Sequence, residues 1–114
     1  CGFGCGGDRE PGKRPMMGAA AEDGADHVIV TSDNPRSEPA ERIIEQVLAG
    51  MRDAGQVLSI SDRREAIATA VRAAAPEDTI LVAGKGHEDH QEIDGQRLPF
   101  DDRAVARELL ERCA

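Results

Sequence analysis

Short runs of apolar, β-branched residues alternate along this chain with longer amphipathic segments. Three runs, at 27–31, 57–60 and 79–82, are predicted to be short strands, and the first has the apolar, β-branched composition of a buried parallel strand. Between them, the segments 39–51 and 63–75 carry apolar side chains at the 3.6-residue spacing of a helix. This pattern predicts an alternation of strands and helices.

The remaining segments extend the same alternation. Residues 1–5 occupy the position of a first strand, and 16–23 has the alanine content of a helix. Residues 91–100 have the pattern of a hairpin that turns at Asp94-Gly95, and a final helix follows. The predicted fold is therefore α/β and Rossmann-like, with a mostly parallel sheet and helices on both faces. We expect the C-terminal β-hairpin to add an antiparallel edge to that sheet.

The pattern also predicts helix starts and a core. Ser61 or Asp62 is suited to cap the third helix, and Asp101 or Asp102 the last one. The residues predicted to face the core from the three longer helices are Ile43, Ile44, Val47, Leu48, Met51, Ala66, Ile67, Ala70, Val71, Ala74, Val105, Leu109 and Leu110.

Length and composition exclude several classes of function. The 114 residues form one domain, 1–114. A net charge of −8 and an aromatic content of 2% argue against nucleic-acid binding, which needs cations for phosphates and rings for stacking. No apolar run approaches the roughly 20 residues of a membrane span, and no signal-peptide pattern is present. We therefore expect neither a nucleic acid nor a membrane as partner.

The cysteines indicate a reducing environment. Cys1, Cys5 and Cys113 give an odd count and lack the partner spacing of a zinc site. We predict no metal site and free thiols in the cytoplasm. Because the sequence opens without an initiator Met, we also expect a longer parent protein.

The first strand leads into a glycine-rich, basic loop at 6–15. Such a loop between a strand and a helix can bind an anion through backbone N–H groups. It is not a Walker A loop, because Lys13 is followed by Arg14 rather than Ser or Thr. A flexible basic surface loop is the alternative interpretation.

Two further loops follow predicted strands. The segment 83–88 places Lys85, His87 and Glu88 among glycines, which permit close backbone approach to a ligand. The segment 32–36 contains Pro35, which stiffens the loop. Solvated turns are the alternatives for both segments, an Asx-turn in the second case.

Read in order, these loops carry a resemblance. The segments GGDREPGKRP at 6–15, TSDNPRSEP at 31–39, AGKGHE at 83–88 and FDDR at 100–103 resemble the C-terminal, amino-acid-recognition domain of the MurE ligases of the Mur ligase family. The resemblance covers essentially the whole chain. It implies part of an ATP-dependent, amide-forming ligase that adds meso-diaminopimelate to UDP-MurNAc-L-Ala-D-Glu in peptidoglycan precursor synthesis. DNPR is similar to the motif of the diaminopimelate-adding branch, whose Asn and Arg the lysine-adding branch typically replaces.

The resemblance also implies the residues of a meso-diaminopimelate pocket. Arg36 can grip a carboxylate bidentately, and Asn34 can donate and accept beside it. Carboxylates and a backbone carbonyl are available for an ammonium group. The implied pocket consists of Arg9, Asp33, Asn34, Pro35, Arg36, Gly84 and Glu88.

The remaining steps are expected outside this chain. In the family, ATP and Mg²⁺ are bound mainly by the central domain and the nucleotide sugar by the N-terminal one, and none of those motifs occurs in 1–114. We therefore expect no catalytic residue, no cofactor and no activity in the isolated chain. The parent is expected to be a cytoplasmic monomer that acts on meso-diaminopimelate and the UDP-MurNAc-dipeptide. Lys13, Lys85 and His87 have no assigned role.

Two alternatives remain open from the sequence. The chain could belong to a lysine-adding or other Mur-type ligase, against which Asn34 and Arg36 speak. It could instead be a stand-alone, non-catalytic α/β module that binds an anion or a nucleotide. The sequence upstream of residue 1 would discriminate, because a ligase carries a nucleotide-binding segment there.

Overall fold

The computed structural model describes residues 1–6, 12–85, 88–94 and 96–113. These residues form strands and helices in strict alternation up to the hairpin, as predicted. The helices are α1 (Lys13–Gly24), α2 (Ala40–Leu48), α3 (Arg63–Ala73) and α4 (Asp102–Cys113), and a 3₁₀ turn spans Ala54–Gln56. The strands are β1 (Gly2–Phe3), β2 (Ile29–Val30), β3 (Leu58–Ser59), β4 (Val82–Ala83), β5 (His90–Ile93) and β6 (Gln96–Pro99).

The first strands form a parallel sheet in the order β3-β2-β1-β4. Gly2 pairs with Ile29 on one side and with Val82 on the other, so β1 lies inside the sheet. The glycine-rich start of the chain is therefore a central strand, although its propensity for strand is low. Its neighbours on both sides supply the hydrogen bonds, from Gly2 N to Leu81 O at 2.8 Å and from Ile29 N to Cys1 O at 2.8 Å.

Helices cover both faces of the sheet, as predicted. One buried cluster joins β1 and β2 to α2 through Phe3, Val30 and Val47. A second cluster joins α3 to α4 through Ile67 and Leu109. The neighbouring residues Val82 and Ala83 of β4 pack against different clusters, because successive side chains of a strand point to opposite faces.

The predicted core is largely confirmed. Ile43, Ile44 and Val47 are buried in α2 at the predicted spacing. Leu110 was predicted to face the core and is 55% exposed, so this prediction is wrong. Val105 and Leu109 already fill the contact of α4 with α3, and Leu110 lies on the next face of the helix. No helix of the described residues is long and apolar enough to cross a bilayer.

Two helix starts agree with the predicted caps. The side chain of Asp62 accepts a hydrogen bond from Glu65 N at 3.2 Å at the start of α3. Before α4, Asp101 accepts from Ala104 N at 3.3 Å and from Arg103 N at 2.9 Å, and these two N–H groups lower the pKa of the Asp101 carboxyl. Each side chain satisfies a backbone N–H that has no partner within its helix.

The hairpin does not add an edge to the main sheet, and that expectation is wrong. β5 and β6 form a separate two-stranded antiparallel sheet, with His90 opposite Pro99. An isolated parallel bridge joins Ile93 to Arg36 in the loop after β2. The hairpin strands are mostly polar, HQEI and QRLP, so they offer no continuous apolar face for helices to cover.

α1 begins earlier than predicted. It starts at Lys13 rather than Met16, with Pro15 in its first turn. Lys13 and Arg14 are therefore helical residues and do not belong to the preceding loop. The loop after β1 is described only from Gly4 to Gly6 and at Gly12.

Candidate functional site

The candidate site lies at the carboxyl end of the parallel sheet. β2 and β3 lie on one side of β1, and β4 lies on the other. The strand order therefore reverses between β1 and β4. In open α/β sheets, ligands bind at such a switch point, outside the carboxyl ends of the strands. The loops that follow β1, β2 and β4 all begin at this edge.

The loop 32–36 is buried rather than solvated. Asp33 is 8% exposed and Asn34 3% exposed, and Pro35 is fully buried. The Asn34 side chain contacts residues 51 and 58 positions further along the chain. A local Asx-turn would have kept those contacts within a few residues. Tertiary contacts therefore hold this loop.

Lys85 connects this loop to the one after β4. Its Nζ lies 3.1 Å from Asp33 Oδ1, in an ion pair with the Lys85 side chain 0% exposed and that of Asp33 12% exposed. The same Nζ donates to Asn34 Oδ1 at 3.3 Å and to His90 O at 2.5 Å. A buried ammonium is tolerated only when oxygen atoms replace its hydration, and these three provide that replacement.

Glycines let the loops approach each other closely. Gly84 has φ +108°, in the region that side chains disfavour. A Cβ there would lie 3.4 Å from Gly4 O and 3.8 Å from Asp33 Oδ2. At Gly4, a Cβ would lie 2.4 Å from Thr31 O, so no side chain fits between β1 and the loop after β2. Space therefore excludes a side chain at Gly4, whereas at Gly84 the left-handed φ favours glycine.

The hairpin supports the same loop from outside. Gln91 Nε2 donates to Ser32 Oγ at 3.0 Å and to Asp33 O at 2.7 Å. Arg36 N donates to Glu92 O at 2.8 Å, and Glu92 N donates to Asn34 Oδ1 at 2.9 Å. These hydrogen bonds lie beside the β-bridge between Arg36 and Ile93. They place Asn34 and Arg36 relative to the hairpin.

Arg36 lies at the outer end of the loop. Its φ of 56° is left-handed, which turns the chain toward the hairpin. Its side chain is 22% exposed, with Nε 3.6 Å from Glu92 Oε2 and one terminal nitrogen 3.4 Å from Asn34 O. These two contacts are longer than the usual hydrogen bonds of a guanidinium.

The sequence analysis missed a buried arginine beside the site. Arg63 grips Asp102 with two bonds, of 2.8 Å and 2.7 Å, and its side chain is 0% exposed. It also donates to Ser32 O at 3.0 Å and to Ala83 O at 3.2 Å. Arg63 therefore joins the ends of β2 and β4 to the start of α4. An arginine at a helix start gives no local signal of burial, and only the FDDR segment in the resemblance contained its partner.

Arg14 is not available as an anion-binding cation in this structure. It is 2% exposed and pairs with both carboxylate oxygens of Glu38, at 3.1 Å and 2.9 Å. It also donates to Gln46 at 2.7 Å and to Gly6 O at 3.0 Å. Arg14 thus joins α1 to α2 and to the loop after β1.

Cys5 is buried at the start of the loop after β1. Burial raises the pKa of the Cys5 thiol, and the nearby charges of Arg14 and Asp33 act in opposite directions. Its Sγ lies 3.5 Å from Met17 Sδ. The thiol is therefore a core side chain with little thiolate at neutral pH. Among the described residues, no group of three His, Cys, Asp or Glu side chains is placed to hold a metal ion.

The structure brings most of the predicted pocket residues to one place. Asp33 and Asn34 contact Lys85, which follows Gly84, and Arg36 lies at the outer end of the loop 32–36 beside Glu92. Glu88 belongs to the turn that contains Lys85, its N–H donating to Lys85 O at 3.0 Å. Arg9 and His87 lie outside the described residues. The assignment of these residues to a substrate pocket stays a prediction.

A cavity of about 750 Å³ lies beside this region but does not coincide with it. It is bounded by the hairpin and by the starts of α3 and α4, and it reaches the loop 32–36 only through Ser32 and Pro35. Of the predicted pocket residues that the structure describes, only Pro35 lines it.

Comparison with known proteins identifies the family. Residues 1–86 match the family model for the Mur ligase, glutamate ligase domain. A relative from Acidovorax sp. (strain JS42), named UDP-N-acetylmuramoyl-L-alanyl-D-glutamate–2,6-diaminopimelate ligase, is 55% identical over 98% of this chain. A relative of the same name from Chromobacterium violaceum is 58% identical over 96% of it.

A solved structure agrees with this. A structure described as a UDP-N-acetylmuramoyl-L-alanyl-D-glutamate–2,6-diaminopimelate ligase superposes on 98% of this chain with a TM-score of 0.90 and 45% identity. The chain covers 24% of that structure and 22% of the length of each curated relative. The predicted family is therefore confirmed: this chain belongs to the Mur ligase family, through its glutamate ligase domain.

Proposed function

We propose that this chain is the amino-acid-recognition domain of a ligase that adds meso-diaminopimelate to UDP-MurNAc-L-Ala-D-Glu. The observation that carries the proposal is the loop 32–36, which holds Asn34 buried and Arg36 at the outer edge of the sheet's carboxyl end. The names of the relatives from Acidovorax and Chromobacterium support it, because both are 2,6-diaminopimelate ligases.

The chemistry of the loop suits a distal carboxylate. Meso-diaminopimelate carries a carboxylate and an ammonium at each end, whereas lysine lacks the second carboxylate. Arg36 presents parallel N–H donors that match a carboxylate, and Asn34 stands next to it. If lysine bound instead, the distal carboxylate proposed to pair with Arg36 would be missing, which disfavours that substrate.

Other predicted pocket residues act through shape and backbone. Gly84 has no side chain, and its backbone carbonyl is proposed to accept from the substrate's ammonium group. Asp33 is paired with Lys85, so its charge is already balanced. Glu88 is then the remaining predicted carboxylate for the substrate's ammonium group.

The reaction itself needs parts of a larger protein. We propose that ATP and Mg²⁺ are held by segments outside these 114 residues, where they activate the dipeptide carboxyl. The role of this domain is to hold the incoming amine in place for attack, which converts a bimolecular step into an oriented one. The parent would act in the cytoplasm on these small molecules, and the isolated chain would be inactive.

The test uses the full-length parent ligase with UDP-MurNAc-L-Ala-D-Glu, ATP and Mg²⁺. Phosphate release is followed with meso-diaminopimelate and, separately, with L-lysine. We expect a strong preference for meso-diaminopimelate. Preference for lysine would leave the ligase but overturn the assignment of the substrate, and no turnover with either would favour a non-catalytic binding module.

Replacing Arg36 by Ala tests the pocket directly. We expect kcat/KM for meso-diaminopimelate to fall by about 100-fold or more, because a charge-assisted pair worth roughly 3 kcal/mol is lost. Arg42→Ala, at an exposed position of α2, is the matched control and should behave as wild type. Near-normal kinetics of Arg36→Ala would refute this role of Arg36.

A further inference from the structure

Lys85 is a buried cation whose ammonium group contacts other residues of the protein. Its side chain is 0% exposed, although it lies in a loop beside the candidate site. A lysine ammonium has three N–H donors and no acceptor. Its Nζ lies within 3.3 Å of oxygens from Asp33, Asn34 and His90. The ammonium group therefore donates to Asn34 and His90 and is paired with the Asp33 carboxylate, so its charge is balanced inside the protein without a ligand.

These contacts determine how Asn34 faces the site. Lys85 Nζ and Glu92 N both donate to the Asn34 side chain, at 3.3 Å and 2.9 Å. Because an ammonium and a backbone N–H can only donate, the atom facing them must be the oxygen of the amide. Its two lone pairs are then occupied. The amide nitrogen Nδ2 points away from Lys85, and Asn34 presents N–H donors.

The same side chain sets the distance between the two loops. Lys85 directly follows Gly84, and its Nζ reaches across to Asp33 in the loop after β2. It also bonds His90 O at the start of the hairpin. One cation thus joins the loop after β2, the loop after β4 and the hairpin, and each of these contributes to the edge where the substrate is proposed to bind.

We propose that Lys85 is a positioning residue for the amino-acid substrate, one that fixes Asn34 as a donor to the substrate's carboxylate without touching the substrate. This inference rests on the proposed function. Without Lys85, the Asn34 amide loses one of the two donors that hold its oxygen, and Asp33 loses its counter-charge. The side chains of Asn34 and Asp33 then sample other arrangements, and substrate binding must restore the correct one.

The experiment compares Lys85→Met with wild type in the full-length parent. Methionine keeps a similar length and removes the donors and the charge. We expect the KM for meso-diaminopimelate to rise about tenfold or more, as loss of one buried charge-assisted bond implies. We expect kcat and the KM values for ATP and UDP-MurNAc-L-Ala-D-Glu to stay within about threefold, because only the amino-acid site is disordered.

Arg72→Met is the matched control. Arg72 is a cation with an exposed side chain, 57% accessible, that pairs with Glu65 within α3. It should leave every kinetic constant unchanged. An unchanged KM for meso-diaminopimelate in folded Lys85→Met would overturn the proposal. So would a fall in kcat with unchanged KM values, or an equal rise in all three KM values, since either shows a general structural role.

A second variant covers the case in which Lys85→Met does not fold. Lys85→Gln keeps two N–H donors and lowers the desolvation cost, so we expect it to fold. Its KM for meso-diaminopimelate should still rise by about threefold or more, because three acceptors then share two donors. A wild-type KM in this variant overturns the proposal. If the wild-type parent itself does not use meso-diaminopimelate, the proposed function fails instead, and the two failures are distinguishable.

Discussion

The two ends of the parallel sheet use ion pairs in different ways. At the carboxyl end, Arg63 and Asp102 are 0% and 10% exposed, and their bonds join separate elements. At the amino end, Arg52 and Asp23 are 81% and 65% exposed, although their closest distance of 2.6 Å is just as short. A short distance therefore does not measure importance. What separates the pairs is water, which screens the exposed pair and is excluded from the buried one.

The two edges of the sheet differ in the elements that their ion pairs connect. The helices α1 and α2 end near the amino edge, where Arg52 and Glu22 form contacts between neighbouring surface segments. The loops at the carboxyl edge must hold polar groups in one arrangement without a helix or strand ladder to do so. Buried charges supply that arrangement, because breaking one of them leaves its partner unpaired.

The largest expected effect comes from removing the Arg63 guanidinium. Arg63→Met leaves the Asp102 carboxylate buried without a partner, which should lower the free energy of unfolding by about 3–5 kcal/mol. Urea unfolding of the 114-residue chain measures this. The matched exposed change, Arg52→Met, should cost no more than about 1 kcal/mol. Equal costs for the two variants would contradict the contrast between the ends of the sheet.

A double variant sharpens the same comparison. Arg63→Met combined with Asp102→Leu removes both buried charges and fills the space with apolar side chains. We expect it to recover most of the stability lost in Arg63→Met, because buried pairs can often be replaced by apolar residues without loss. If the double variant is as unstable as the single one, the bonds to Ser32 O and Ala83 O matter more than the ion pair.

Alanine substitutions of two glycines, one near each end of the sheet, should change the stability by an intermediate amount. A Cβ at Gly4 would lie 2.4 Å from Thr31 O, whereas a Cβ at Gly24 would meet nothing within 4 Å. Gly4→Ala should therefore cost about 1–3 kcal/mol or more. Gly24→Ala, in the last position of α1, should be neutral or stabilise by up to about 1 kcal/mol. Thermal unfolding of both variants measures the difference, and a tolerated Gly4→Ala would argue against the close contact of the loops.

The smallest expected effect is a pH dependence at the amino end. The N–H groups of Arg52 and Asp53 donate to Glu22, both at 2.9 Å, and lower the pKa of its carboxyl. A lowered pKa means that the stabilisation is present above the ordinary Glu pKa and is lost as the pH falls through the lowered one.

Glu22→Gln should remove that component. Urea midpoints between about pH 6 and about pH 3 should fall less steeply for this variant than for wild type. Glu77→Gln, at an exposed position, is the control and should follow the wild-type curve. A wild-type slope in Glu22→Gln would show that these backbone bonds do not contribute to acid stability.

Several features of the fold were predictable because their cause is local. The spacing of Ile43, Ile44 and Val47 predicts the buried face of α2. The sequence before α3 predicts Ser61 or Asp62 as the cap, and the structure has Asp62. The alternation of strands and helices followed from periodicity in the same way. The placement of the hairpin did not, because its bonds go to the loop 32–36, more than 50 positions earlier.

In the candidate site, too, local motifs were predictable from the sequence and contacts between distant residues were not. The motif at 33–36 and the glycine at 84 are visible in the sequence, and the resemblance drew attention to them. The sequence predicts that Arg14 is a cation of the loop 6–15, whereas the structure places it in α1 as a buried partner of Glu38. Lys85 had no assigned role and proves to be a buried junction. The sequence alone does not tell whether a charged side chain will face water, a ligand or another side chain.

The sequence by itself determined the α/β alternation, the caps of α3 and α4 and the family to which the chain belongs. These properties depend on residues within a few positions of one another, or on motifs read in order. Only the tertiary structure decided which cations are committed to buried pairs, that the hairpin supports the loop 32–36, and which way the Asn34 amide faces. The physical reason is that the free energy of a charge or an amide depends on the water and the partners around it, and for Arg63, Lys85 and Asn34 those partners are brought in from distant parts of the chain.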